Sequence, residues 1–263
     1  MKIVTKSTMY LACTTAVLTI GVLWFAVREA VEAARQSACQ GHMNGLQSAL
    51  RNYEALNGHY PPAYINGPDG KPWHSWRVLL LPFLGEEAVY DQYRFDEPWN
   101  GPNNQALADR ISPNLFRCTN APGGKREWNT NYVAVVGKET AFPGAETVAS
   151  DDIKDGVENT ILLVEIGNSD IHWMEPCDLQ YRSLTLQTDP EKASSMSVSS
   201  RHPAGPGVVF ADRITAYRIH SPLLLSTLRG LLTIAGGEEE TKESLEGWDN
   251  SGRYLVEPPI ASD

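Results

Sequence analysis

A histidine and an aspartate with nine residues between them, His202 and Asp212, form the pair best suited to acid–base or metal chemistry. A hydrolytic triad needs a nucleophile and a metal centre needs further ligands, and no segment supplies either in a recognisable context. The plainer reading is structural, with His202 packing at a strand start and Asp212 making a turn. Asp151, Asp152, Asp155 and Glu158 cluster hard oxygen ligands of the kind calcium takes. Their spacing is not that of an EF-hand, and a solvated acidic turn accounts for them equally. Glu165, Glu175 and Asp178 add carboxylates near strand ends, but hydrolysis by a carboxylate pair depends on a separation that spacing does not fix.

Four cysteines are present. Cys13 falls in an apolar run, where a thiol behaves as a small hydrophobe. In an oxidising compartment Cys39 could pair with Cys118 across a long loop, contributing about 3 to 5 kcal/mol, with Cys177 left over. No CxxC occurs, so spacing gives a structural zinc site little support, and no metal or cofactor is expected. Trp73, Trp76, Trp99, Trp128 and Trp173 are many for this length. Those in loops rich in Pro, Gly and Asn, above all Trp99 and Trp128, are candidates to face a glycan or peptide; the alternative is that they cover a small core.

The elements that must position these residues begin with an uncharged stretch from Ser7 to Val27, with no Pro and a single Gly. As a helix it would be roughly 30 Å long, the hydrocarbon thickness of a bilayer. Val27, Val31, Ala34 and Ala38, then Leu46, Leu50 and Tyr53, continue at three- and four-residue steps, the period of one buried helical face, to a stop near Asn57-Gly58. Lys2 and Lys6 precede the run, while Arg28 and Arg35 behind it are balanced by Glu29 and Glu32, which favours the N-terminus inside and the domain outside. A cleaved signal peptide with Val31 and Ala33 at its small-residue positions competes, but the run exceeds a usual h-region and Arg28, Glu29 and Glu32 crowd that site. A lipoprotein anchor at Cys39 is disfavoured by Gln36.

The expected organisation is therefore a cytoplasmic N-terminus over 1–6, a transmembrane segment over 7–27, an extracytoplasmic continuation of the helix over 28–57, one globular domain over 58–237, and an acidic flexible tail over 238–263. The balance of 22 basic to 32 acidic side chains is uneven, since from Glu238 onward eight carboxylates face two bases. No basic patch suggests nucleic acid. Within the domain, turn signals and period predict helices over Glu86–Tyr93, Asn103–Ile111 with Asn103 as N-cap, and Leu223–Leu232 after Ser221-Pro222. Strands are expected at Tyr132–Val136, Thr160–Ile166, Val208–Ala211 and Ile214–Ile219, the last two a hairpin about Asp212-Arg213. The class is α+β: a long N-terminal helix on an antiparallel sheet, with loop-rich insertions and a C-terminal helix.

That architecture is also the one of type IV pilins and pseudopilins. Glu32-Ala-Ala-Arg-Gln-Ser-Ala-Cys39, Asn52-Tyr53, Gly58-His-Tyr-Pro-Pro62, His74-Ser-Trp76, Phe116-Arg-Cys118, Thr130-Asn-Tyr132, Asn159-Thr-Ile161 and Trp173-Met-Glu-Pro176 together resemble the bacterial family catalogued as domain of unknown function 1559. The family's C-terminal signature is a His, nine residues, then Asp-Gly; His202 and Asp212 reproduce it, with Arg213 in place of the Gly. Family members commonly open with a prepilin peptidase site, Gly then Phe-Thr-Leu-x-Glu. Here Ile3 to Thr8 stands in its place without the Gly-Phe pair or the Glu, so a permanently anchored single-pass protein fits better.

The resemblance implies a non-catalytic, pilin-like envelope protein, a scaffold or assembly partner at the bacterial inner membrane with its domain in the periplasm. Its partners would be the lipid bilayer and other pilin-like or envelope proteins. An anchored module binding glycans or peptides through loop tryptophans is the runner-up, and a hydrolase would require His202, Asp212 and a Glu to converge in one pocket.

Overall fold

The computed structural model describes residues 6–108, 110, 114–121, 128–187, 189, 191–212, 216–219 and 223–237, without the side chains of 6–9 and 11–13. Residues 1–5 of the proposed cytoplasmic end, the acidic tail, Ile111, Arg213, Ile214, Ser221 and Pro222 thus lie outside the described residues. Helix α1 runs from Lys6 to Asn57, 52 residues, or roughly 78 Å at the α-helical rise. It ends where Gly58 adopts φ 80° and donates its N–H to the Glu54 carbonyl at 2.7 Å, a left-handed cap that a residue without Cβ takes at least cost.

The helix is one element with two environments. Thr14–Asn57 contains a window long and apolar enough to cross a membrane, none of it buried within the protein. Burial starts at Cys39 and follows the helical period through Met43, Leu46, Gln47 and Leu50. This corrects the expectation that the buried face starts at Val27. Val27 and Val31 are 58% and 44% exposed, and Ala34 and Ala38 are exposed too, because the first domain contacts on α1 fall at Glu32 and Arg35, on another side of the helix.

Strands β1 (Tyr64–Asn66) and β2 (Pro72–Ser75) form a hairpin on the Asn66–Gly70 turn chemistry. There follow α2 (Trp76–Leu79), a 3-10 turn over Leu81–Leu84 that carries Pro82 at its start, α3 (Glu87–Tyr90) and α4 (Pro102–Ala108). The sheet strands are β3 (Tyr132–Val136), β4 (Ile161–Glu165), β5 (Leu179–Gln180), β8 (Gly207–Phe210) and β9 (Tyr217–Arg218), with a separate pair β6 (Thr185–Leu186) and β7 (Ser197–Val198). Helix α5 (Leu225–Gly230) closes the described chain. The order of the five-stranded sheet is β5-β3-β4-β8-β9, antiparallel except for β5, which pairs parallel with β3.

Both faces of this sheet are covered, which is why its strands read as continuous apolar runs. Tyr132 and Ala134 of β3 and Val209 of β8 face a core shared with Cys39, Met43, Leu46 and Leu50 of α1. Their neighbours Val133, Val135, Val208 and Phe210 face a second core closed by Leu228, Leu231 and Leu232. Gly207, on β8, lies against the Met43 side chain of α1: a Cβ there would overlap the thioether. The molecule is thus a mixed helix-and-sheet structure with a long apolar N-terminal helix and mainly antiparallel strands.

Several boundaries shift for physical reasons. Helix α4 begins at Pro102, and its N-terminal cap comes from outside: Glu97 accepts from the Asn104 N–H at 2.7 Å and from Asn103 Nδ2 at 3.0 Å, so Asn103 is not the cap. Helix α3 is shorter than expected, and α5 starts at Leu225 with Leu224 as N-cap residue.

Candidate functional site at the stalk junction

Four residues of α1 at steps of three and four, Glu32, Arg35, Cys39 and His42, form a polar stripe just where the helix leaves the domain. The loop Arg117–Asn120 reads that stripe residue by residue. His42 Nδ1 bonds the Arg117 carbonyl at 2.9 Å, and Thr119 Oγ1 donates to the Arg35 carbonyl at 3.1 Å. Asn120 Nδ2 donates to both Glu32 oxygens at 3.2 and 3.1 Å, while its Oδ1 accepts from Arg35 Nη1 at 3.2 Å. The loop itself is held by β3's leading residues: the Cys118 N–H donates to Asn131 Oδ1 at 3.0 Å, and the Asn131 N–H donates to the Phe116 carbonyl at 2.8 Å.

At the centre of the junction the Cys39 and Cys118 sulfurs lie 2.8 Å apart, both as free thiols. His202 Nε2 stands 3.2 Å from each sulfur. Its other ring nitrogen, Nδ1, is 2.6 Å from Glu32 Oε1. The Thr119 N–H also donates to Cys39 Sγ at 3.0 Å. Cys39, Cys118 and His202 are 0, 3 and 3% exposed, so all three are buried, while the adjoining Glu32 side chain keeps an edge in solvent. The Cys118 thiol, sharing a proton with it, holds the Cys39 thiol well below the usual range, with His202 and Thr119 helping against the opposing effect of burial. The same sharing of one proton pushes the Cys118 thiol far up. Burial works against the charged form of His202, yet its bond to Cys39, the Glu165 charge and the Glu32 carboxylate outweigh it and raise its pKa.

His202 is placed from behind by a second chain of bonds. Its N–H donates to Ser200 Oγ at 3.1 Å, and Ser200 Oγ donates to Glu165 Oε1 at 3.0 Å. The other Glu165 oxygen accepts from the Gly207 N–H at 2.9 Å and lies 3.3 Å from Arg218 Nη1. Glu165 is wholly buried and therefore has its counter-ion and its donors built in.

The remaining candidates disperse. Asp212 meets α1 at Gln47, whose Nε2 donates to the Asp212 carbonyl at 2.9 Å and to Oδ1 at 3.2 Å. Gln47 is eight residues past Cys39, roughly 12 Å along the helix, so His202 and Asp212 grip α1 at two separate places. Asp178 is buried in an ion pair with Arg77 at 2.5 Å and also accepts from the Trp76 indole and the Ala134 N–H, while Glu175 accepts from the His172 N–H. Asp155 accepts from Thr233 Oγ1 and the Gly236 and Gly237 N–H groups, and Asp152 from the Ala149 N–H. Trp99 is half-buried and stacks on His172 at 5.3 Å. Trp128, also half-buried, accepts the Trp173 N–H on its carbonyl at 2.9 Å. Cys177 is half-buried, and burial raises its pKa.

The family described as Protein of unknown function (DUF1559) matches residues 28–183, more than half of the 263 residues. The chain belongs to this family. No curated protein and no solved structure matches it. The DUF1559 match takes in Glu32, Cys39 and Cys118 and ends before His202, so the junction draws its imidazole from beyond the matched segment. Sequence reasoning paired Cys39 with Cys118 but named His202 apart from them, and it missed the meeting of all three and the parts of Glu32 and Asn120. The signal available was slight: Glu32, Arg35, Cys39 and His42 fall at steps of three and four, but the same segment also carries Glu29, Gln36, Gln40 and Asn44.

Proposed function

We propose that this DUF1559 protein is a non-catalytic, pilin- or pseudopilin-like envelope protein, anchored by α1 in the bacterial inner membrane with its N-terminus in the cytoplasm and its domain in the periplasm. One observation carries the reading: a single 52-residue helix whose apolar N-terminal half is uncovered while its C-terminal half is one wall of the domain core. A domain built around its own anchor cannot swing freely on a linker; it holds a fixed bearing to the bilayer, which suits a scaffold or an assembly partner more than a tethered enzyme. The dispersal of the carboxylates supports the same reading, since Glu165 and Asp178 each serve an arginine and backbone amides. Its partners are then the bilayer and other pilin-like or envelope proteins that meet the exposed stretch of α1.

Protease protection of spheroplasts, combined with N-terminal sequencing of the protein from washed membranes, tests this. The expected outcome is a domain digested from outside in spheroplasts, and an undigested protein whose N-terminal sequence still carries the apolar run. A mature start near Ala34 and a soluble domain would overturn the anchored reading.

A further inference from the structure

We propose that Cys39, Cys118 and His202 form a binding site for a zinc-class divalent metal ion that fastens the membrane helix to the domain. The three ligand atoms come from segments far apart in sequence, α1, the Arg117–Asn120 loop and the stretch before β8, yet all lie within 4.8 Å of one another. Two thiolates and an imidazole are the donor set that such an ion prefers. The absence of a CxxC is no obstacle, because the fold brings together what sequence spacing keeps apart.

Two features go beyond what a cysteine pair needs. A disulfide uses the sulfurs alone, whereas here an imidazole nitrogen sits 3.2 Å from both. That imidazole also has its far nitrogen bonded to a carboxylate, Glu32, at 2.6 Å, the arrangement that fixes a metal-ligating histidine's orientation and raises its basicity. With Nδ1 committed to Glu32, Nε2 is the nitrogen left to face the ion. The Thr119 N–H on Cys39 Sγ adds the kind of amide donor that stabilises a thiolate. Coordination at about 2.3 Å per sulfur sets two thiolates roughly 3.8 Å apart, so loading opens the 2.8 Å sulfur contact; the displacement falls on the loop, which belongs to no strand. Binding releases the thiol protons, and the Nε2 proton where His202 is charged, to solvent, and the fourth position is left to water. Glu32 acts as a positioning residue.

The test uses the full chain, purified from membranes in mild detergent under reducing, anaerobic conditions and titrated with Co²⁺, then competed with Zn²⁺. Expected are thiolate-to-cobalt charge-transfer absorption saturating at one ion per chain and its loss to Zn²⁺. The band should disappear in Cys118→Ser and persist in Cys177→Ser. Glu32→Gln, which keeps all three ligands, should weaken binding roughly ten- to a hundredfold. Absence of the charge-transfer band in the native chain overturns the site and does not depend on any variant folding. So does alkylation-trapped mass mapping of membranes that finds Cys39 and Cys118 joined as a disulfide in the bulk of the protein.

Discussion

Between Val17 and Val31 the large apolar side chains of α1 are 44 to 69% exposed, whereas Cys39, Met43, Leu46 and Leu50 on the same helix are at most 1% exposed. Both stretches present apolar side chains, and no break separates them. What differs is the pattern of apolarity and what lies opposite. As far as Val27 the first stretch is uncharged on all sides and has no protein against it; the second carries an apolar stripe, and the sheet covers it. The polar residues Glu32, Arg35, Cys39 and His42 mark the changeover, and the junction loop binds there rather than anywhere along the apolar run. On the anchored reading one helix answers to two solvents, lipid and the domain interior, and each half should respond only to changes that disturb its own.

The largest separation comes from charging the uncovered half. Leu18→Arg with Leu23→Arg should cost about 5 to 7 kcal/mol of membrane insertion, at roughly 2.5 to 3.5 per arginine, and shift the protein from carbonate-washed membranes to the soluble fraction. Domain melting should stay within a degree or so of the parent, because neither leucine touches the domain. A large fall in melting temperature would show that the two halves are not independent. The mirror experiment is Leu46→Ala, which removes a fully buried side chain from the core under the sheet. A loss of about 2 to 5 kcal/mol in denaturant stability is expected, with membrane partition unmoved.

A smaller effect probes the contact itself. Gly207→Ala forces a Cβ into the Met43 thioether and should cost about 1 to 3 kcal/mol by overpacking. Adding Met43→Ala frees that space, so the double variant should be less destabilised than the two single losses summed. Strict additivity would mean that α1 does not dock on β8 at this point.

The legibility of the sequence divides along the same line. Strands β3, β4 and β8 were readable because both of their faces are buried, which leaves uninterrupted β-branched runs bounded by turn residues. The helix was readable from its period, and its cap from Gly58. What could not be read was where burial begins. Val27, Val31, Ala34 and Ala38 have the same periodicity as Leu46 and Leu50, and periodicity reports a face without saying whether anything covers it. The junction was hidden for a related reason. Cys39, Cys118 and His202 are 79 and 84 residues apart in successive steps, so their meeting is a product of topology. The small strands β5, β6 and β7 have two residues each, too few to show any period.

That ambiguity supplies the smallest and sharpest test. Val31 has the spacing of a core residue but is 44% exposed, although Glu32 beside it already belongs to the junction. Val31→Ser should therefore change domain stability by no more than about 0.5 kcal/mol, the range of an ordinary surface substitution, measured by urea titration in detergent. The same substitution in a buried position would remove methyl groups and bury a hydroxyl, costing well over 1 kcal/mol. A loss of that size at Val31 would mean that the domain, or a second copy of the chain, covers α1 further toward the membrane, and running the titration at several protein concentrations separates the two, since only an intermolecular cover is diluted away.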